Sequence, residues 1–362
     1  RLNGGAASDL RALREYYAAP YRNVIQQADV RSVMTAYSTF NGEPTSYSSY
    51  LMDTLLRQTY GFNGHITSDC DSVATQNRLA YVNPYTGDTM TDLEALAGSL
   101  AHGEDLECNG GYSGFGTYSS KLSRMIDAAP ETDKGIFTEN AADIGLLHMF
   151  TDRIATGEFD DDLAYTAAAN ERIANGESGQ SAERLAIIDE VNREGVVLLK
   201  NNGLLPLQIP EGAYNVVIIG SWQTQTYTGL YSAGVSGNSN VNIQKGITDA
   251  IQAKKADASF TYITSNSLTE ENEAAVKAAD VVVVVTGTNS NYSKEDGDRS
   301  TIALPNNQAE LISNVGKLNP KTIAIMETCG AMQVKTFQND VAAILWSSYG
   351  GLRKGVGFGD II

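Results

Sequence analysis

Two kinds of apolar spacing alternate along the first third of the chain. After Asp9, the residues Leu10, Leu13, Tyr17 and Val24 fall roughly on one face of a helix. Residues 32–37 then read as a strand, and Asn41-Gly42-Glu43-Pro44 is strong turn chemistry. The pattern predicts a helix over 46–60 stopped by Gly61, a short strand over 65–68, and a polar loop rich in Tyr, Asn and Gly over 80–89. A helix follows from a cap at Asp92 to about Ala101, and then a short strand-like stretch, Gly103-Glu104-Asp105-Leu106-Glu107-Cys108. Helix and strand in strict alternation are the signature of a parallel α/β architecture. About three strands are too few to close an eight-stranded barrel.

The middle of the chain, 118–178, reads as helical. Ile144, Leu147, Phe150 and Ile154 recur at helical spacing, the Met149–Phe150 pair is expected in the core, and Gly157 is a C-terminal stop. A second apolar helix is predicted over 183–199, ended by Asn201-Asn202-Gly203. A new α/β unit begins near 213, with strands over 216–220, 258–263, 280–286, 321–327 and 341–346. Helices are predicted over 241–254, 270–278 and 306–317. The near-continuous Val/Ile runs imply strands covered on both faces.

Composition narrows the function classes. The chain has 362 residues, enough for two domains, and 42% hydrophobic content, enough for a core. A formal net charge of −17 argues against nucleic acid, which needs basic patches. No apolar run approaches a membrane span; the longest, 281–285, reads as a buried strand. Three cysteines and three histidines, at spacings that match no zinc motif, point to neither a metal site nor a His-based triad. The Gly220 turn continues as Ser221-Trp222-Gln223 and lacks the dinucleotide fingerprint, so no nucleotide cofactor is expected. The chain starts at Arg1, so compartment is not read from a leader.

Two places could carry chemistry. Asp69 stands where the strand over 65–68 stops, the position from which side chains enter the mouth of an α/β barrel. An Asp there equally caps a following helix. The loop after the strand over 280–286 reads Asn289-Ser290-Asn291-Tyr292-Ser293-Lys294-Glu295-Asp296-Gly297-Asp298-Arg299. It lies beyond the carboxyl end of a central strand, where open α/β sheets bind ligands. A solvated loop whose charges pair with one another fits the same residues.

Six segments in order decide between these readings. Val33-Met34-Thr35-Ala36-Tyr37-Ser38-Thr39-Phe40-Asn41-Gly42, then Leu56-Arg57 with Gly61-Phe62-Asn63-Gly64 and Ser68-Asp69-Cys70-Asp71-Ser72-Val73, then Asp105-Leu106-Glu107-Cys108 resemble barrel segments of glycoside hydrolase family 3. Glu194-Gly195-Val196-Val197-Leu198-Leu199-Lys200-Asn201 with Leu205-Pro206-Leu207 resembles its interdomain signature. Glu295-Asp296-Gly297-Asp298-Arg299 with Leu304-Pro305 and Gln308 resembles its acid/base loop. Within the family the match is to the β-xylosidase group, because Cys70 stands where β-glucosidases usually have Trp.

The resemblance implies an α/β fold made of a partial (β/α)8-type barrel over 1–117, a helical connector over 118–209 and an αβα sandwich domain over 210–362. It implies a retaining glycosidase acting on an oligosaccharide, with β-xylosides expected and β-glucosides or α-L-arabinofuranosides as alternatives. Asp69 is then the nucleophile and Glu295 the general acid/base, the two meeting at the domain interface. Tyr37, Cys70, Glu107 and Arg299 are expected to bind substrate; no metal or cofactor is expected. A homologue that binds carbohydrate without cleaving it is the non-enzymatic alternative. Cys70 and Cys108 end neighbouring strands and are either a disulfide or two free thiols. The departures are clear as well. Ser38 stands where the family has Asn, the Lys-His segment of the family's barrel has no counterpart, and the glycine-rich ending weakens at Leu352-Arg353-Lys354. The chain reads as the middle of a longer enzyme.

Overall fold

Parallel strands with helices between them make up both halves of the chain, so the fold is α/β. A computed structural model of the chain describes residues 4–84, 86–108, 117–118, 120–121, 123–125, 139–160, 164–175, 181–229, 239–294, 297 and 299–362. Its internal contacts divide it into two units, residues 1–168 and 169–362.

In the first unit, β1 (Gly5–Ala6) precedes α1 (Ala19–Ala28), and β2 (Ser32–Met34) is followed by β3 (Thr39–Phe40) and β4 (Glu43–Pro44). The turn between β3 and β4 holds Asn41 and Gly42 at φ 52° and 86°, left-handed values that these two residue types tolerate best. Next come the π-wound helix α2 (Tyr50–Thr59) and β5 (His65–Thr67), with Gly61 ending the helix at φ 79°. β2 and β5 pair in parallel, Ser32 opposite His65 and Met34 opposite Thr67. α3 (Ser72–Arg78) and α4 (Asp92–Ala101) follow, and Leu106 then bridges Thr67 in parallel. The cap of α4 is Thr91, not the expected Asp92. Its hydroxyl takes the Glu94 N–H while the Glu94 carboxylate takes the Thr91 N–H, a reciprocal box that Asp92 could not complete.

Helix α5 (Glu139–Ala155) overturns one expectation. The Met149–Phe150 pair is not in the core, with Met149 half-buried and Phe150 exposed; Ile144, Leu147 and Ile154 are 45%, 65% and 61% exposed, and the buried residues of the helix are Gly145 and Asp152. Charge outweighs apolar spacing here. Asp152 accepts the His65 N–H at 3.0 Å and faces the His65 ring at 2.7 Å and Arg31 at 2.7 Å. One turn earlier, His148 Nδ1 lies 2.9 Å from Asp105. Two aspartates, each gripped by an arginine and a histidine, seat the helix against β5.

α6 (Ala164–Ala174) crosses the division, and α7 (Ala182–Glu194) opens the second unit proper. The expected helix over 183–199 stops at Glu194. Gly195 caps it, and Val197–Asn201 becomes β6, antiparallel to the last strand of the sheet. Its Val-Leu-Leu run suits a pleated surface better than another helical turn. The remaining elements are β7 (Asn215–Ile219), α8 (Ile243–Lys254), β8 (Ser259–Ile263), α9 (Glu270–Ala278), β9 (Val281–Gly287), α10 (Gln308–Leu318), β10 (Thr322–Glu327), β11 (Ala343–Ser347) and α11 (Lys354–Ile361). The sheet order is β6-β11-β10-β9-β7-β8, parallel except for β6. β9 and β10 are buried at every residue. Val283 and Ile325 pack with Ile247 and Phe358 on one face; Val284 and Met326 pack with Ile312 and Phe337 on the other. Helices on both faces are what the uninterrupted Val/Ile strands require.

Candidate active site

The carboxyl ends of β2, β5 and the 104–108 stretch bring four of the six expected site residues together. β5 ends at Thr67, and Ser68 continues the ladder: its N–H donates to Leu106 O at 2.8 Å, and its hydroxyl accepts the Cys108 N–H at 2.8 Å. The chain then turns sharply. Asp69 O accepts the Ser72 N–H at 3.0 Å, the Asp71 N–H donates to Cys108 O at 2.7 Å, and Asp71 sits at φ 61°. This turn lifts Asp69 out of the sheet as a half-buried carboxylate whose Oδ1 accepts the Cys70 N–H at 2.8 Å. The cap role open to an Asp here does not fall to Asp69. Asp71 precedes α3, and its carbonyl rather than its carboxylate takes the Thr75 N–H.

Tyr37 lies three residues beyond β2, and its hydroxyl donates to the Cys70 carbonyl. Its own carbonyl accepts the Tyr81 hydroxyl at 3.3 Å, a partner that the sequence reading missed inside a polar loop. Cys70 and Cys108 are free thiols with Sγ atoms 3.0 Å apart. The hydrogen bond between them, then burial and the nearby Asp71 and Asp69 charges, push Cys108 up to about 11. Glu107 is pushed up to about 7. Burial is the main cause and the Asp71 charge adds to it, against a hydrogen bond from the Tyr118 backbone. Glu107 Oε1 is buried with no hydrogen-bond partner among the described residues.

Behind the turn lies a carboxyl that the sequence reading also missed. Glu104 is fully buried, takes hydrogen bonds from Thr35 at 2.8 Å and Tyr118 at 3.0 Å, and is pushed up to about 8 by burial. From Thr35 the hydroxyls continue through Ser46 to Ser72, each step 2.8 Å, and end under the Asp69–Ser72 turn. Alternation along the stretch gives no such signal, since Glu104 and Asp105 are both buried while Leu106 is exposed.

In the second unit Arg299 is half-buried. Its guanidinium lies against the segment after β10, with Nη1 3.3 Å from Met332 Sδ. Glu295, Asp296 and Asp298 lie outside the described residues. No cluster of metal-ligating side chains occurs among the described residues, and no helix there is long and apolar enough to cross a membrane.

Comparison with known proteins gives this arrangement a family. Residues 4–91 match the glycosyl hydrolase family 3 N terminal domain, and residues 196–362 match the C-terminal domain of the same family. The chain is 30% identical over 365 residues to an exo-1,4-beta-xylosidase, xlnD, of Aspergillus niger, covering 97% of this chain and 42% of that protein. It is 30% identical over 357 residues to beta-D-xylosidase 1 of Arabidopsis thaliana, covering 97% and 43%. Among solved structures it superposes on the exo-beta-xylosidase XlnD bound to a xylobiose aziridine probe, with a TM-score of 0.78, 26% identity and coverage of 99% and 44%. A beta-glucosidase from Listeria innocua in complex with glucose shares the fold, with a TM-score of 0.78 at 23% identity and coverage of 99% and 46%. The chain thus spans less than half the length of each of these relatives. Both family domains in their order, with 30% identity to a relative over 97% of the chain, show that it belongs to glycoside hydrolase family 3.

Proposed function

We propose that the protein containing this chain is a retaining glycoside hydrolase that removes terminal β-D-xylosyl residues from xylo-oligosaccharides. The observation that carries this reading is the Asp69 turn. A half-buried carboxylate stands at the carboxyl end of a parallel strand, its Oδ1 held by the Cys70 N–H, with Tyr37 against the adjacent carbonyl. A retaining mechanism needs one ionised carboxylate to attack the anomeric carbon and a second carboxyl, protonated at first, to donate to the leaving oxygen. In this reading Asp69 forms the glycosyl-enzyme bond as Glu295 protonates the leaving oxygen. Glu295 then takes a proton from water as that water displaces Asp69. Glu107, Tyr37, Cys70 and Arg299 hold sugar hydroxyls. The relatives named as xylosidases, and Cys70 beside the nucleophile, favour xylose over glucose.

The architecture follows the same reading. Residues 1–117 are taken as the later strands of a (β/α)8-type barrel and 118–209 as connector. Residues 210–362 are taken as an αβα sandwich, to which the connector contributes β6 as an edge strand. Parallel β2, β5 and the Leu106 bridge with intervening helices support the first part.

The test is turnover by the intact protein of p-nitrophenyl β-xyloside against β-glucoside and α-L-arabinofuranoside. Asp69→Ala should abolish it, and azide should rescue Asp69→Gly with release of an α-glycosyl azide. Glu295→Ala should slow unactivated xylo-oligosaccharides far more than aryl xylosides, because only the former need a proton on the leaving group. A first product of inverted configuration would reject the mechanism. Sugar binding with no turnover of any of the three substrates would favour a non-catalytic carbohydrate-binding protein.

A further inference from the structure

The segment where the glycine-rich ending breaks down, Leu352-Arg353-Lys354, puts a lysine inside the second unit. Lys354 is the first residue of α11 and is 2% exposed, and its ammonium pairs with Glu327, the last residue of β10, which is fully buried. The same Glu327 Oε2 accepts the Trp222 Nε1–H at 2.6 Å, and its Oε1 accepts the Gly350 N–H at 3.3 Å. Lys354 Nζ also stands 5.7 Å from the centroid of the Trp222 ring. Trp222 lies on the turn after β7, and its indole covers Gly287, the last residue of β9. A Cβ at Gly287 would come within 2.2 Å of Trp222 Cε2.

Gly287 is gripped from its other side too. The Gln308 side chain accepts its N–H at 2.7 Å and donates to its carbonyl at 3.0 Å. Thr288 follows, with its N–H on Glu327 O at 3.1 Å and its hydroxyl 3.0 Å from Tyr349 Oη. β7 and β9 are neighbours from which the chain runs outward in opposite directions, to β8 on one side and to β10 and β11 on the other. That is the topological switch point at which open parallel sheets place ligands.

A buried ion pair is a poor source of net stability, because desolvating two charges costs about as much as their attraction returns. An apolar pair of the same volume would fill this space as well. What the charged pair adds is direction, since the glutamate must point at the lysine and at the indole together. We propose that Lys354 and Glu327 are positioning residues: they hold Trp222 against Gly287 and so fix the point at which the segment Thr288-Lys294, leading to Glu295, leaves the sheet. The catalytic consequence rests on the reading of Glu295 as acid/base; the mechanical claim does not.

Hydrogen exchange of the intact protein tests the mechanical claim. Lys354→Met keeps the side-chain stem and removes the charge. It should speed exchange across 288–294 by about tenfold or more, as expected for local opening. The Trp222 emission, taken as the difference from the same protein carrying Trp222→Phe, should also shift to the red. Arg353→Ala is the control. It breaks the neighbouring pair with Asp189, at 2.6 Å on both nitrogens, with no contact to Trp222, and should leave both readouts unchanged. If Lys354→Met does not fold, Lys354→Met/Glu327→Gln buries no unpaired charge and should still free the segment. Wild-type exchange and emission in whichever variant folds would overturn the proposal, as would equal acceleration in Arg353→Ala. On substrates, Lys354→Met should lower kcat for unactivated xylosides more than for aryl xylosides, with KM little changed. If the intact protein hydrolyses no glycoside, the functional reading fails while the exchange result still decides the role of the pair.

Discussion

Replacing Glu104 by Gln should stabilise the protein, and by more as pH rises. Glu104 is fully buried behind the Asp69 turn and is pushed from an ordinary 4.5 up to about 8. Folded chains therefore hold a proton on Glu104 over a range in which unfolded chains have lost it. The contribution is fully present below pH 4.5 and declines as pH rises, until the folded carboxyl ionises near 8. Integrated over that window the loss is about 5 kcal/mol, and at pH 7 it is already about 3 kcal/mol, a large share of a typical domain's stability. Gln escapes it and fits the same partners, because its amide can donate to Thr35 Oγ1 while its oxygen accepts from Tyr118.

The assay is urea denaturation at pH values from 5 to 8. Far-UV circular dichroism is the readout, since Trp222 and Trp346 both lie in the second unit and would not report on the first. With an m-value of roughly 2 kcal/mol/M, the Gln variant's midpoint should exceed the wild type's by roughly 1–2 M at pH 7 and converge toward it at pH 5. A constant offset from the substitution itself is irrelevant; the pH slope is the signal. Midpoints that move in parallel across the range would show that Glu104 is not a neutral buried acid and would refute the reasoning.

Asp105→Ala should destabilise by about 3 kcal/mol, seen as a lowered melting temperature, because it takes the carboxylate from the half-buried Arg57 and leaves the Ile66 N–H without its acceptor. Asp152→Asn should flatten the acid limb of stability. Burial would raise this carboxyl, but hydrogen bonds from the His65 ring, Arg31 and the His65 backbone outweigh burial and hold it below its ordinary 3.8. Its contribution is thus present above that value and lost as pH falls through the folded one, which a wild-type and variant melting series from pH 6 to 3 would check. Gly98→Ala should cost about 1–3 kcal/mol or more, measured by urea denaturation, because the new methyl would stand 2.0 Å from Cε2 of the fully buried Tyr47.

Where one force decides an element, the sequence was enough to read it. The run Val281-Val282-Val283-Val284-Val285 can only be a strand covered on both faces, and it is buried at every residue. The helix expected over 270–278 is found as α9, with Thr269 capping it through the Asn272 N–H. Where two forces compete, spacing misled. α5 has a good apolar stripe but turns it outward, because Asp152 and His148 meet Arg31, His65 and Asp105, residues 43 to 121 positions away in the chain. Past Glu194 the apolar pattern continues unbroken, so only pairing with β11 distinguishes strand from helix. For the site, motif order singled out Asp69, and strand position added Tyr37 and Glu107. The hydroxyl relay from Glu104 could not be read, since Thr35, Ser46 and Ser72 share no local pattern and meet only in three dimensions.

The two ends of the parallel strands in the first unit differ in a way that bears on function. Toward the amino ends, the buried aspartates are fully matched. Asp152 has Arg31 and His65, and Asp105 has Arg57, His148 and the Ile66 N–H. Both oxygens of each carboxylate already accept from protein donors, and these contacts fix strand register. Toward the carboxyl ends the balance reverses. Glu107 keeps one buried oxygen without a partner among the described residues and is held near 7 in consequence of its burial, while two thiols share a hydrogen bond and no disulfide. A folded chain tolerates an unmatched buried acceptor where something else regularly supplies the donor. A sugar hydroxyl is such a donor, and the Asp69 turn is joined to Cys108, the residue after Glu107, by the Asp71 N–H. The unmatched Glu107 oxygen thus lies at the same end of the strands at which motif order expects the chemistry.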